Sequence, residues 1–160
     1  MRSNKKTITW CLKQKRGIKL VEPNPALCGE YLRKAEGSLK MLNAALERDE
    51  REWVAITAYY ARYDAVYALF LRCGIVSEIH ECTLAALDFF FADEGIVSKS
   101  LTDELRESKD SRIDAQYYVA AELDADPNPD AEKARAFVLD IEKVLDRLDE
   151  KTIRKIRSKF

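Results

Sequence analysis

His80 is the only histidine in this sequence. An imidazole titrates near neutrality, so it can act as a general base or as a contact to a phosphate. Arg72 precedes it with seven residues between, and Arg106 and Arg112 follow on a later segment with no histidine after them. A guanidinium holds phosphate through paired N–H donors. His80 with Arg72 and Arg112 is therefore one set capable of phosphoester chemistry, and Arg106 is a further candidate contact. The plainer alternative makes His80 a helix-start residue, bonded to a backbone group or packed in a turn.

A second group lies in "AYYARYDAVYALFLRCG", residues 58–74, where four tyrosines share a segment with Arg62 and Asp64. Trp53, Ile56, Tyr60, Tyr63, Tyr67 and Phe70 recur in alternating steps of three and four, a seam down one helix face. Such a seam is expected to be core or subunit interface, and each phenol needs a hydrogen-bond partner if buried. Arg62 and Asp64 fall off the seam and, two residues apart, do not face each other. They face solvent, reach partners on a neighbouring helix or subunit, or contact a ligand.

Cys11, Cys28, Cys73 and Cys82 fall at gaps that match no zinc-binding pattern. Reduced, mostly buried thiols are expected, with no metal and no cofactor. No Gly-rich phosphate loop of the P-loop or Rossmann type is present. A nucleotide pocket would have to be built between helices.

The elements that must position these residues are helices. Five glycines and four prolines in 160 residues starve the chain of turns, which argues against a sandwich or barrel. A short helix in "TITWCLKQKRG" is expected to end at Gly17 as a C′ residue, before an extended "IKLVEPNP". Asn24–Pro25 is an N-cap and N1 pair opening a helix to about Leu46, with Leu27, Tyr31, Ala35, Leu39, Leu42 and Leu46 as its apolar stripe. Asp49 with Glu52 resembles a capping box for the tyrosine helix, which stops at Gly74. Further helices are expected over Ser77–Asp93, Ser100–Tyr118 and from Asn128–Pro129 toward the C-terminal stretch. "LAALDFFF" within the first of these is apolar nearly all round and should lie centrally. The fold class is all-α, an up-and-down bundle of four to five antiparallel helices with a short N-terminal helix.

The net charge of −1 conceals an asymmetry. Residues 1–19 carry seven Lys/Arg and no acid, residues 151–160 carry five and no acid, and the remainder carries −13. Positive ends on an acidic body fit either polyanion contact or solubilising tails. No apolar run is long enough for a membrane span, and the basic N-terminus has no apolar signal region, so a cytoplasmic protein without membrane contact is expected.

"WCLKQKRGIKLVEPNPALCGEYLRKAEGSL" and "AYYARYDAVYALFLRCGIVSEIHECT" resemble archaeal members of the HEPN family. The resemblance covers roughly residues 8–150. With the length and charge pattern it gives one helical domain over 1–160 as the expectation, with a basic arm at 1–23, a bundle at 24–150 and a basic tail at 151–160. It further implies a homodimer, and for many members a small nucleotidyltransferase partner in a toxin–antitoxin module. Other members are metal-independent ribonucleases marked by an arginine, four to six residues, then a histidine. There the histidine transfers protons while the arginine holds phosphate. This chain departs from that motif: its histidine stands early, and "SRIDAQYY", residues 111–118, looks like the arginine-to-tyrosine version of non-ribonuclease branches. A non-catalytic module engaging RNA, a nucleotide or a partner protein is the expectation. An atypical ribonuclease built on His80 and the nearby arginines is the alternative.

Overall fold

The computed structural model describes residues 2–119, 123 and 126–160. Asn24 does cap a helix: its side chain accepts the Leu27 N–H at 3.0 Å, and Pro25 stands first in α2, Pro25–Glu47. A tight turn reverses the chain into α3, Arg51–Cys73, so that α2 and α3 form the most extensively packed helix pair. The expected capping box is absent here. Asp49 has φ +54, Glu50 occupies the cap position without a side-chain bond, and the turn is closed through the backbone instead.

Before this hairpin come α1, Arg2–Lys13, and a two-residue strand β1, Lys19–Leu20, which pairs antiparallel with β2, Ile75–Val76. After it come α4, His80–Ala86, which runs on as a π-helix over Leu87–Ala92, then α5, Lys99–Tyr117, α6, Asn128–Arg147, and α7, Glu150–Arg157. The architecture is an all-α bundle with a short N-terminal helix, as expected. α3 lies at its centre, packed by α2 on one side and by α5 and α6 on the other. That position explains why it buries residues almost all round, including Arg62 and Asp64.

Several boundaries differ from expectation. α1 ends at Lys13, short of Gly17, and Gly17 serves the following turn, where a Cβ would strike the Cys11 carbonyl. Asn128 is the first residue of α6 and does not cap it; its side chain and backbone N–H both donate to Asp126. Helix α6 stops before Leu148–Asp149, and the stretch read as a basic tail folds as α7, capped by Asp149 and anchored by buried Ile153 and Ile156. Gly74 has φ +71 and closes α3 in the left-handed region. A side chain there would collide with Val21 and with the Arg157 guanidinium, whose Nη1 donates to the Val21 and Cys73 carbonyls at 2.7 and 2.9 Å.

The "FFF" of residues 89–91 turns inward. Phe90 and Phe91 are fully buried, and Phe91 stacks on Phe70 with centroids 5.3 Å apart. Each fully buried phenylalanine contributes about 1.5–3 kcal/mol. The π-helical hydrogen-bond pattern leaves the Phe89 carbonyl to accept from Lys159 Nζ at 2.7 Å. Lys159 also pairs with Glu94, as does Lys155, and these cations hold the Glu94 carboxyl down to about 2.

The cysteines depart from expectation. Cys11 on α1 and Cys82 on α4 form a disulfide, while Cys28 and Cys73 are free and buried. The 71-residue separation of Cys11 and Cys82 is why no local spacing signals the bond; it depends on α1 packing against α4. Among the described residues no helix is long and apolar enough to cross a membrane, and no His/Cys/Asp/Glu cluster arranged to hold a metal is found.

Candidate functional site

Polar chemistry concentrates where α3, the start of α4 and the end of α5 meet. Tyr59, nearly fully buried on α3, shares a hydrogen bond between its hydroxyl and His80 Nδ1. The His80 ring lies against Tyr63 with centroids 4.7 Å apart, and Tyr63 stacks in turn on Tyr67 at 6.0 Å. Tyr67 packs on Tyr31 of α2 at 4.9 Å, so a file of rings runs across α3. The Arg112 guanidinium also meets Tyr59, 5.0 Å from the ring centroid, a cation–π contact. Arg112 is a buried residue that donates to Gln116 at 2.9 Å, and its Nε–H has no hydrogen-bond partner among the described residues.

The electrostatics follow from this packing. Burial pushes the His80 pKa below its ordinary 6.5, and the Arg112 and Lys109 charges push it further. The Tyr59 hydroxyl is held protonated mainly by burial, and the Tyr63 hydroxyl is pushed up to about 12. At neutral pH the Tyr59–His80 pair is therefore uncharged. When Tyr59 donates to Nδ1, the imidazole presents Nε2–H as a donor; in the other tautomer Nε2 is a base.

This pair makes a clean test. A folded pKa below the unfolded value means that the stabilisation is present above about pH 6.5 and is lost as pH falls through the folded value. The one imidazole resonance should titrate below 6.5 in NMR of the native protein. The corresponding acid-side loss of stability should vanish in His80→Gln. A titration at or above 6.5 would contradict the burial of the ring.

A HEPN domain family model matches residues 29–151, most of the chain. This chain belongs to the HEPN domain family. Comparison with curated proteins gives no match. Within the HEPN domain His80 and Arg112 come from separate elements and meet at Tyr59, although no arginine–histidine motif links them in sequence. Lys151 is the last matched residue, and α1, β1 and most of α7 lie outside the match.

The other candidate residues are placed elsewhere in this HEPN domain. Arg72 sits at the end of α3, where it lies 3.9 Å from Glu150. Arg106 bonds Asp103 at 3.0 Å and pairs with Asp88 at 3.4 Å. Arg62 is fully buried and bonded to Glu104 at 2.8 Å, Ser108 at 3.0 Å and the Asp130 carboxylate at 2.6 Å. Asp64 turns the opposite way, to Lys34 of α2 at 3.2 Å. Its second oxygen has no partner among the described residues, and burial raises its pKa.

Tyr59 and Lys109 were not among the candidates. The three–four seam of the sequence runs through Tyr60, one residue beyond Tyr59. The spacing of Tyr59, Tyr63 and Tyr67 at i, i+4, i+8 was the available signal. Lys109 stands three residues from both Arg106 and Arg112, and all three make contacts on the side of α5 that meets α3, α4 and the π-helix. That spacing also explains the polar "RESKDSR" of α5, whose Ser108 accepts from Arg62.

Proposed function

We propose that this HEPN domain is a homodimeric, non-catalytic binding module that engages the phosphate of RNA or a nucleotide at Arg112 and His80. It would do so alongside a small nucleotidyltransferase-type partner in a toxin–antitoxin setting. The observation that carries the reading is Arg112, a desolvated cation with an unpartnered N–H beside an imidazole. That N–H is closed to solvent in this structure; once the side chain opens to a phosphate, the anion supplies what it lacks, and hydrogen bonds to charged groups contribute about 1.5–3 kcal/mol. Cleavage would also need a proton donor for the leaving oxygen. His80 serves that role poorly, since burial and two cations favour its neutral form.

Dimerisation is supported by surface that the core leaves outside. Met41 and Trp53 are exposed and line one groove between α2 and α3, and exposed Tyr117 and Tyr118 share a second groove with Trp53. A stable interface on this face would bury about 1,200–2,000 Å² in total. The solution mass should be twice the 18.4 kDa of the chain.

The decisive assay incubates the purified protein with labelled RNA and with nucleotides. Nucleotide binding that weakens about tenfold or more in Arg112→Gln, with RNA left intact, is expected. The runner-up, an atypical ribonuclease, draws on the meeting of His80 and Arg112 at Tyr59. RNA cleavage abolished by His80→Ala would establish it in place of the binding reading.

A further inference from the structure

We infer that α1 is a second, independent nucleic-acid contact: a basic, tryptophan-bearing face that takes single-stranded RNA. Ile8 and Cys11 turn the apolar side of α1 into the bundle, and the disulfide fixes that side to α4 two residues after His80. What faces outward is exposed Lys6, Trp10 and Lys13, at i, i+4 and i+7 on one helical face, with exposed Lys5 beside them. Lys15 and Lys19 continue the charge into β1. α1 contains no acidic residue, and these five lysines make no ion pair among the described residues. The neighbouring Arg16 is paired to Glu78.

The C-terminal cations do not share this role equally. Lys155, Arg157 and Lys159 are engaged by Glu94 and by backbone carbonyls, which leaves Lys151 and Arg154 exposed. Polyanion binding therefore rests on the N-terminal segment.

The chemistry selects the ligand. A row of unpaired lysines neutralises phosphates regardless of sequence, and an exposed indole between them offers a stacking platform for an unpaired base. Lipid fits less well, because the apolar face that would enter a membrane is already buried against α4. A protein interface core also fits less well, since lysine is depleted there. The surface lies outside the matched HEPN residues and does not depend on Arg112.

The test uses the full chain carrying Trp53→Phe, so that Trp10 is its only tryptophan. An unlabelled twelve-nucleotide U-rich RNA is titrated at several salt concentrations while Trp10 fluorescence is followed. Quenching with a salt-dependent affinity is expected. The triple variant Lys6→Gln, Lys13→Gln, Lys15→Gln should bind at least tenfold more weakly, with a log–log salt slope shallower by about 2 at roughly 0.7 per phosphate. Arg112→Gln should leave the Trp10 signal in place, and Lys40→Gln, an exposed change on α2, should have no effect.

Salt-insensitive or absent binding, or a triple variant equal to the parent, would overturn the inference. Quenching by polyglutamate as strong as that by RNA would replace RNA with an acidic protein partner. Loss of Trp10 quenching in Arg112→Gln would assign all binding to the Arg112 site. Loss of RNA binding in Arg112→Gln, with the triple variant unaffected, would support the proposed site alone.

Discussion

Arg62→Ala should destabilise the protein by about 3–5 kcal/mol, the usual consequence of removing one partner from a buried ion pair. The guanidinium is fully buried and joins three helices through Glu104 and Ser108 of α5 and Asp130 of α6. Its loss leaves two carboxylates facing each other across a vacated site. A urea melt reads the effect directly. Arg62→Lys should recover only part of the loss, because an ammonium cannot serve three separated acceptors with a planar fork. A loss of unfolding free energy below about 1 kcal/mol for Arg62→Ala would show that the network contributes little.

Reduction of the Cys11–Cys82 bond should cost a comparable amount, about 4 kcal/mol, from the loop-closure entropy of a 71-residue separation. Two-electron reduction by dithiothreitol converts the disulfide to two thiols. Thiol titration of the denatured chain should count two groups before reduction, Cys28 and Cys73, and four after. The urea midpoint should fall on reduction, and Cys11→Ser should reproduce the fall without reductant. Four titratable thiols before any reductant would contradict the bond. Of the two free cysteines, Cys73 is the less reactive candidate, since burial pushes its thiol up to about 12.

The helices were legible because their signals are local. Asn24–Pro25 carries its cap and first-turn chemistry within a few residues, and Gly74 marks the end of α3 by its backbone alone. Asp49 shows the limit of such reading. Its side chain had the right chemistry for a cap, but the tight reversal between α2 and α3 placed it at φ +54 and moved the cap position to Glu50. The site was less legible. His80, Arg112 and Tyr59 are brought together only by tertiary packing, and the disulfide likewise exists only once α1 lies on α4. Arg62 could be seen to need a partner, but Glu104 and Asp130 lie 42 and 68 residues away. Periodicity identifies which face is buried and leaves open which distant side chain meets it.

The Arg157 guanidinium joins carbonyls whose residues lie far apart in the chain, Val21 at a separation of 136 and Cys73 at 84. Contacts of such high sequence separation are reached late in folding, after the entropy of closing long loops has been met. α7 is then a closing bolt rather than part of the nucleus. Undocking of α7 together with the residues that follow it, Lys159 among them, would strip the end of α3, the Val21 strand exit and the Phe89 carbonyl of their partners in one step. Those three places should behave as one sub-global opening unit, looser than the α2–α3 hairpin that carries the core.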